Sequence, residues 1–87
     1  MMQTKGRKKC ILAVDDAAIV LTRIADTLHN DFDVFTVNSG VRALRYLELE
    51  KPDLILLDIH MMQQDGIETL RKIRSMEEGK NIPVIML

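Results

Sequence analysis

The sequence predicts an α/β fold: one parallel sheet, helices on both faces, in the order β-α-β-α-β-α-β. Three observations carry that expectation. Short apolar runs at residues 10–14, 53–57 and 82–87 have the length and composition of strands buried on both faces. Between them, apolar residues recur every three or four positions, the period of a helix with one face on a core. The chain has 87 residues, room for one domain only.

The elements follow in order. Cys10-Ile11-Leu12-Ala13-Val14, between Lys9 and Asp15, reads as the first strand. Val20, Leu21, Ile24, Ala25 and Leu28 mark a helix over residues 17–30, with Asp16 as its expected N-cap. Residues 33–37 alternate polar and apolar, the period of a second strand. Asn38-Ser39-Gly40 breaks that strand and caps a helix carrying Val41, Leu44 and Leu47, which Lys51-Pro52 stops. The third strand, Leu54-Ile55-Leu56-Leu57 preceded by Asp53, runs into Asp58. Residues 60–65 form a polar, Met-containing loop closed by Gly66. Ile67, Leu70, Ile73 and Arg74 mark a third helix ending near Glu78-Gly79, and Pro83 opens a fourth strand. Alternating units of this kind imply right-handed crossovers.

Composition excludes several functions. With 47% apolar and 29% charged residues the chain is neither disordered nor of low complexity. A single cysteine excludes a disulfide framework and a Cys-rich zinc site, and suits a cytoplasmic location. No apolar run approaches the roughly 20 residues of a membrane span, and none of secretory length follows the basic start. The formal charge of −1 is unevenly spread: Lys5, Arg7, Lys8 and Lys9 crowd the start, while residues 10–87 hold 8 basic and 13 acidic side chains. We therefore expect a mobile basic leader over residues 1–8 and a domain over residues 9–87. The acidic body and only three aromatic residues, Phe32, Phe35 and Tyr46, argue against nucleic-acid binding.

The chemistry-bearing feature is acid at strand ends. Ligands of open parallel sheets bind at the carboxyl ends of strands, near the switch in strand order. Asp15 and Asp16 follow the first strand and Asp58 the third. If those strands are neighbours, about 4.8 Å apart, three carboxylates meet and repel. Either some protonate or a hard divalent cation neutralises them, and oxygen ligands with water suit Mg²⁺. A carboxylate beside such a cation can also attack phosphorus. Each Asp alone reads more readily as a turn former or cap, and it is the acid pair with a third acid on a second strand that brings the functional reading level with that one.

In these residues the sequence resembles the receiver domain of bacterial two-component response regulators. The likeness spans residues 9–87. It rests on Ile11-Leu12-Ala13-Val14-Asp15-Asp16, Asn38-Ser39-Gly40 with Ala43-Leu44, Pro52 through Asp58, Met61, Asp65-Gly66-Ile67-Glu68, Ile73-Arg74 and Ile82 through Leu87. The resemblance implies a flavodoxin-like sheet and a phosphoryl group accepted on Asp58 from a sensor histidine kinase or phosphotransfer protein. It implies Asp16 as a direct Mg²⁺ ligand, Asp15 as one acting through water, and the backbone carbonyl of His60 as a further ligand. Two departures stand out. The loop after the acceptor usually reads Met-Pro and here reads Met61-Met62. The family also continues with a Ser or Thr, a helix, a strand ending in Lys and a last helix; this chain has no counterpart of that helix-strand-helix or of the switch Ser/Thr and Lys. The fourth strand is then an expected apolar edge, open to self-association.

Two other functions compete with this one. A haloacid-dehalogenase-type phosphotransferase places a second Asp two residues after its nucleophile, where this chain has His60, which argues against an enzyme. A receiver remnant that binds without switching fits the missing elements. The remaining candidates read blandly. Cys10 is a small apolar filler and His29 a surface residue, while His60 either tunes access of water to Asp58 or is an ordinary loop residue. Met61, Met62, Met76 and Met86 are adaptable packing, and Arg71, Lys72 and Arg74 form a solvated helix face.

Overall fold

A computed structural model describes residues 8–62 and 65–87; residues 1–7 of the expected leader lie outside them. The order is β1 (Lys9–Val14), α1 (Ala18–Leu28), β2 (Phe32–Val37), α2 (Gly40–Leu49), β3 (Leu54–Leu57), α3 (Gly66–Ser75) and β4 (Val84–Met86). All strand pairs are parallel and the sheet order is β2-β1-β3-β4. From β1 the chain moves outward to β2, then reverses across β1 to β3 and on to β4. Right-handed crossovers in opposite directions put α1 on one face and α2 and α3 on the other.

Side-chain alternation divides the strands between those faces. Leu12, Val14, Ile55 and Leu57 join Ala43 and Leu47 of α2 and Ile73 of α3 in one buried cluster, closed by Met61 and Ile82. Eight of these nine side chains, all but Ala43, contribute about 1.5–3 kcal/mol each by burial, which makes this cluster the main source of stability. Ile11 and Ala13 point the other way and are buried. Their register partners Leu54 and Leu56 are half-buried, and Ile85 and Leu87, next along that face, are about half exposed. On this face Leu21 is the one buried residue of α1.

Caps and registers follow local chemistry. The Ser39 hydroxyl accepts the Arg42 N–H at 3.1 Å and opens α2. The Asp65 carboxylate accepts the Glu68 N–H at 2.8 Å and opens α3. The expected Asp16 cap is not formed: Ala17 holds that position without a side-chain hydrogen bond, and Asp15 Oδ1 accepts the Ala17 N–H at 2.9 Å. The first acid folds back into an Asx turn, which carries the second one out over the loop after β3. Asp53 locks β3 beside β1: its N–H donates to the Cys10 carbonyl at 2.8 Å and its carboxylate accepts the Cys10 N–H at 2.7 Å.

Two bland expectations are corrected. Arg74 is not simply part of a solvated face, because its Nη1 donates to the carbonyls of Gly79 and Ile82, at 2.9 and 2.6 Å. Met62 is not packing: it is 91% exposed, whereas Met61 is buried.

Candidate functional site

The pairing of β1 with β3 brings the two acidic strand ends side by side. The Asp58 N–H donates to the Val14 carbonyl at 2.9 Å, extending that ladder, and the Asp15 N–H donates to Val37 at 3.2 Å on the other side. One carboxylate oxygen from each of Asp15, Asp16 and Asp58 then falls within 4.8 Å of the others. Asp15 is buried, Asp58 half-buried and Asp16 exposed. Burial foremost pushes the Asp15 carboxyl above its ordinary range. The Ala17 N–H pulls it partly back, and the charges of Asp58 and Asp16 raise it further.

Backbone amides orient the other two carboxylates. Asp58 Oδ1 accepts the His60 N–H at 3.1 Å, and Asp16 Oδ2 accepts the Met62 N–H at 3.0 Å. The loop is fixed at its base, where the Gly66 N–H donates to Ile59 at 2.8 Å. Gly66 is required there. A Cβ on it would lie on the Asp58 carbonyl oxygen and 2.7 Å from Ile59 Cα. An open cleft of about 600 Å³ borders the acids, lined by Asn38, Ser39, Arg42, Met61 and Met62 with Asp16.

The donor set fits a hard cation. Among the described residues the ion pairs are Lys72–Glu68 at 3.9 Å and Lys80–Glu77 at 3.2 Å, both on or after α3. Among the described residues no Lys or Arg is ion-paired with the three acids, and Arg42 lines the cleft beside Asp16. Oxygen donors alone, with one member buried, are a ligand set of the kind that suits Mg²⁺. The structure thus brings Asp15, Asp16 and Asp58 together, with the His60 backbone beside them and its imidazole exposed. Sequence reasoning missed the Met62 amide; its only trace in the sequence is that position 62 is not proline. A second cleft, of about 560 Å³, lies at the opposite end of the strands around Cys10, Phe35 and Tyr46. There Cys10 Sγ and the Tyr46 hydroxyl are 3.5 Å apart, and burial pushes the Tyr46 hydroxyl up. It lacks the acids.

A flavodoxin-like parallel sheet that gathers acids at the ends of two adjacent central strands defines a ligand-binding α/β module. Residues 11–87 match the response regulator receiver domain, and the chain belongs to that family. It is 39% identical over 80 residues to the alkaline phosphatase synthesis transcriptional regulatory protein PhoP of Bacillus subtilis, covering 91% of this chain and 32% of that protein. The N-terminal domain of a response regulator receiver protein from Methanoculleus marisnigri superposes with a TM-score of 0.85 at 37% identity, over 88% of this chain and 63% of that one. The receiver domain of a sensor histidine kinase from Pseudomonas aeruginosa, with magnesium ion coordinated in its active site cleft, gives a TM-score of 0.86 at 32% identity, over 91% and 66%. This chain thus spans about a third of the regulator's length and two thirds of the solved domains. Among its described residues no helix is long and apolar enough to cross a membrane.

Proposed function

We propose that this chain is a phosphoacceptor module of two-component signalling, taking a phosphoryl group on Asp58 with Mg²⁺ bound beside it. The observation that carries the reading is the meeting of Asp15, Asp16 and Asp58 within 4.8 Å at the ends of β1 and β3. Asp16 would hold the cation directly, Asp15 through water, and Asp58 and the His60 carbonyl would complete the protein ligands. The cation would offset charge on the acceptor carboxylate and on the incoming phosphoryl oxygens.

The chain's own residues prepare that step. The His60 amide fixes one oxygen of Asp58 and so orients the carboxylate. A carboxylate oxygen of Asp58 attacks the phosphorus of a donor phosphohistidine and forms an acyl phosphate. The P–N bond breaks and its electron pair returns to the imidazole of the donor. The donor is a sensor histidine kinase or a phosphotransfer protein, and the setting is the cytoplasm. Turnover as a haloacid-dehalogenase-type enzyme is disfavoured because the general-acid position is His60, not Asp. Residues 9–87 act as the domain, with residues 1–8 as a leader.

Incubation with acetyl phosphate, with and without Mg²⁺, tests the reading by intact mass. A phosphoryl adduct is expected with Mg²⁺ only, and hydroxylamine should remove it, as it does an acyl phosphate. An adduct that resists hydroxylamine, or that forms equally in a chelator, overturns the proposal.

A further inference from the structure

Asp16 has two claims on one carboxylate. It is one of three acids offered to a cation, and its Oδ2 accepts the Met62 N–H at 3.0 Å across 46 positions of sequence. That hydrogen bond joins the end of β1 to the outer arm of the loop after β3. Among the described residues the loop is otherwise held from within: Met61 is buried in the core, the His60 N–H is on Asp58, the Gly66 N–H is on Ile59 and the Ile59 N–H is on Leu87. Met62 itself is 91% exposed, so its side chain does not secure the arm. Proline at this position would have no N–H and could not make the bond.

We propose that the Met62 amide senses the cation: the hydrogen bond to Asp16 clasps the loop in the metal-free chain, and cation binding weakens it. The inference rests on the Mg²⁺ reading above. A cation drawn to Asp16 withdraws negative charge from the carboxylate and leaves a poorer acceptor for the amide. Linkage makes the effect reciprocal, so the amide must lower cation affinity by the factor that the cation loosens the clasp. The Met62 backbone is then held on Asp16 before Mg²⁺ binds and freed afterwards, at the edge of the cleft that Asn38, Ser39 and Arg42 also line.

Mg²⁺ titration of the full chain by calorimetry tests this, comparing Met62→Pro with Met62→Ala, which loses the thioether but keeps the N–H. Met62→Pro is expected to bind Mg²⁺ about three- to tenfold tighter than Met62→Ala, the net worth of an ordinary hydrogen bond, since this one is exposed to water. In the unsubstituted chain, Mg²⁺ should speed hydrogen exchange at the Met62 amide while the β1 and β3 amides slow. Equal or weaker binding by Met62→Pro, or a Met62 amide that Mg²⁺ protects, overturns the inference and leaves the metal site standing. No Mg²⁺ binding by the unsubstituted chain overturns the metal reading itself.

Discussion

Asp15, Asp16 and Asp58 share residue type and strand-end position, yet the fold gives each a different environment. Asp15 is buried and closes an Asx turn, Asp16 is exposed and bound to a loop amide, and Asp58 is half-buried and holds the His60 amide. Asp16→Ala is expected to lose roughly tenfold more Mg²⁺ affinity than Asp15→Ala, because Mg²⁺ gives up its water reluctantly and a direct ligand counts for more. Equal losses in titrations of the two variants would contradict that ranking. The raised carboxyl of Asp15 has a consequence for stability. The folded chain keeps this proton at a pH where the unfolded chain has lost it, so the stabilisation is complete below the unfolded value and is lost as pH rises through the folded one. In a chelator, Asp15→Asn should therefore melt higher than the unsubstituted chain at neutral pH, and the gap should close on acidification. A gap that widens on acidification would reverse the sign. The acids were legible in the sequence because apolar runs marked where the strands end. The Met62 amide was not, since a backbone donor has no letter of its own. The Arg74 bonds were hidden likewise, because helical periodicity counts faces and is blind to carbonyls five and eight residues ahead.

At the scale of elements, the site depends on how β3 hands over to α3. Gly66 lets the first turn of α3 press on the Asp58–Ile59 backbone, and Asp65 caps the helix it begins. Gly66→Ala is expected to cost about 1–3 kcal/mol, the usual penalty of overpacking, and to weaken Mg²⁺ binding by moving Asp58. A melt and a titration unchanged from the parent would show that the contact relaxes freely. Ser39→Ala removes only the cap of α2 and should cost about 1 kcal/mol, without changing metal affinity. Element order and type were readable from period and breakers, since Ser39-Gly40, Pro52 and Gly66 each sit at a real boundary. The start of α1 was not. An acid just ahead of a helix looks like a cap, and only the turn made by Asp15 shows that Asp16 is carried away from it.

Across the whole molecule, the two faces of the sheet are unequally covered. The α2–α3 face closes over a dry cluster, while beside α1 the row Leu54, Leu56, Ile85 and Leu87 is half-buried to half-exposed. Among the described residues β4 pairs only with β3. An apolar strand edge and an apolar face together favour association. The 87-residue polypeptide studied as such should sediment with a concentration-dependent mass, and a monomer at every concentration with a sharp melt above about 60 °C would contradict this. The parallel sheet, its α/β alternation and its acidic end could be read from pattern alone; the uneven cover could not, because burial depends on what lies opposite each face. The central claim is that these features serve transfer of a phosphoryl group to one carboxylate. Borohydride trapping tests it most directly: after incubation with acetyl phosphate and Mg²⁺, reduction converts an aspartyl phosphate to homoserine, and peptide mass mapping locates it. Homoserine is expected at position 58 and nowhere else, and its appearance at Asp15 or Asp16, or a stable phosphate on His60, would contradict the account.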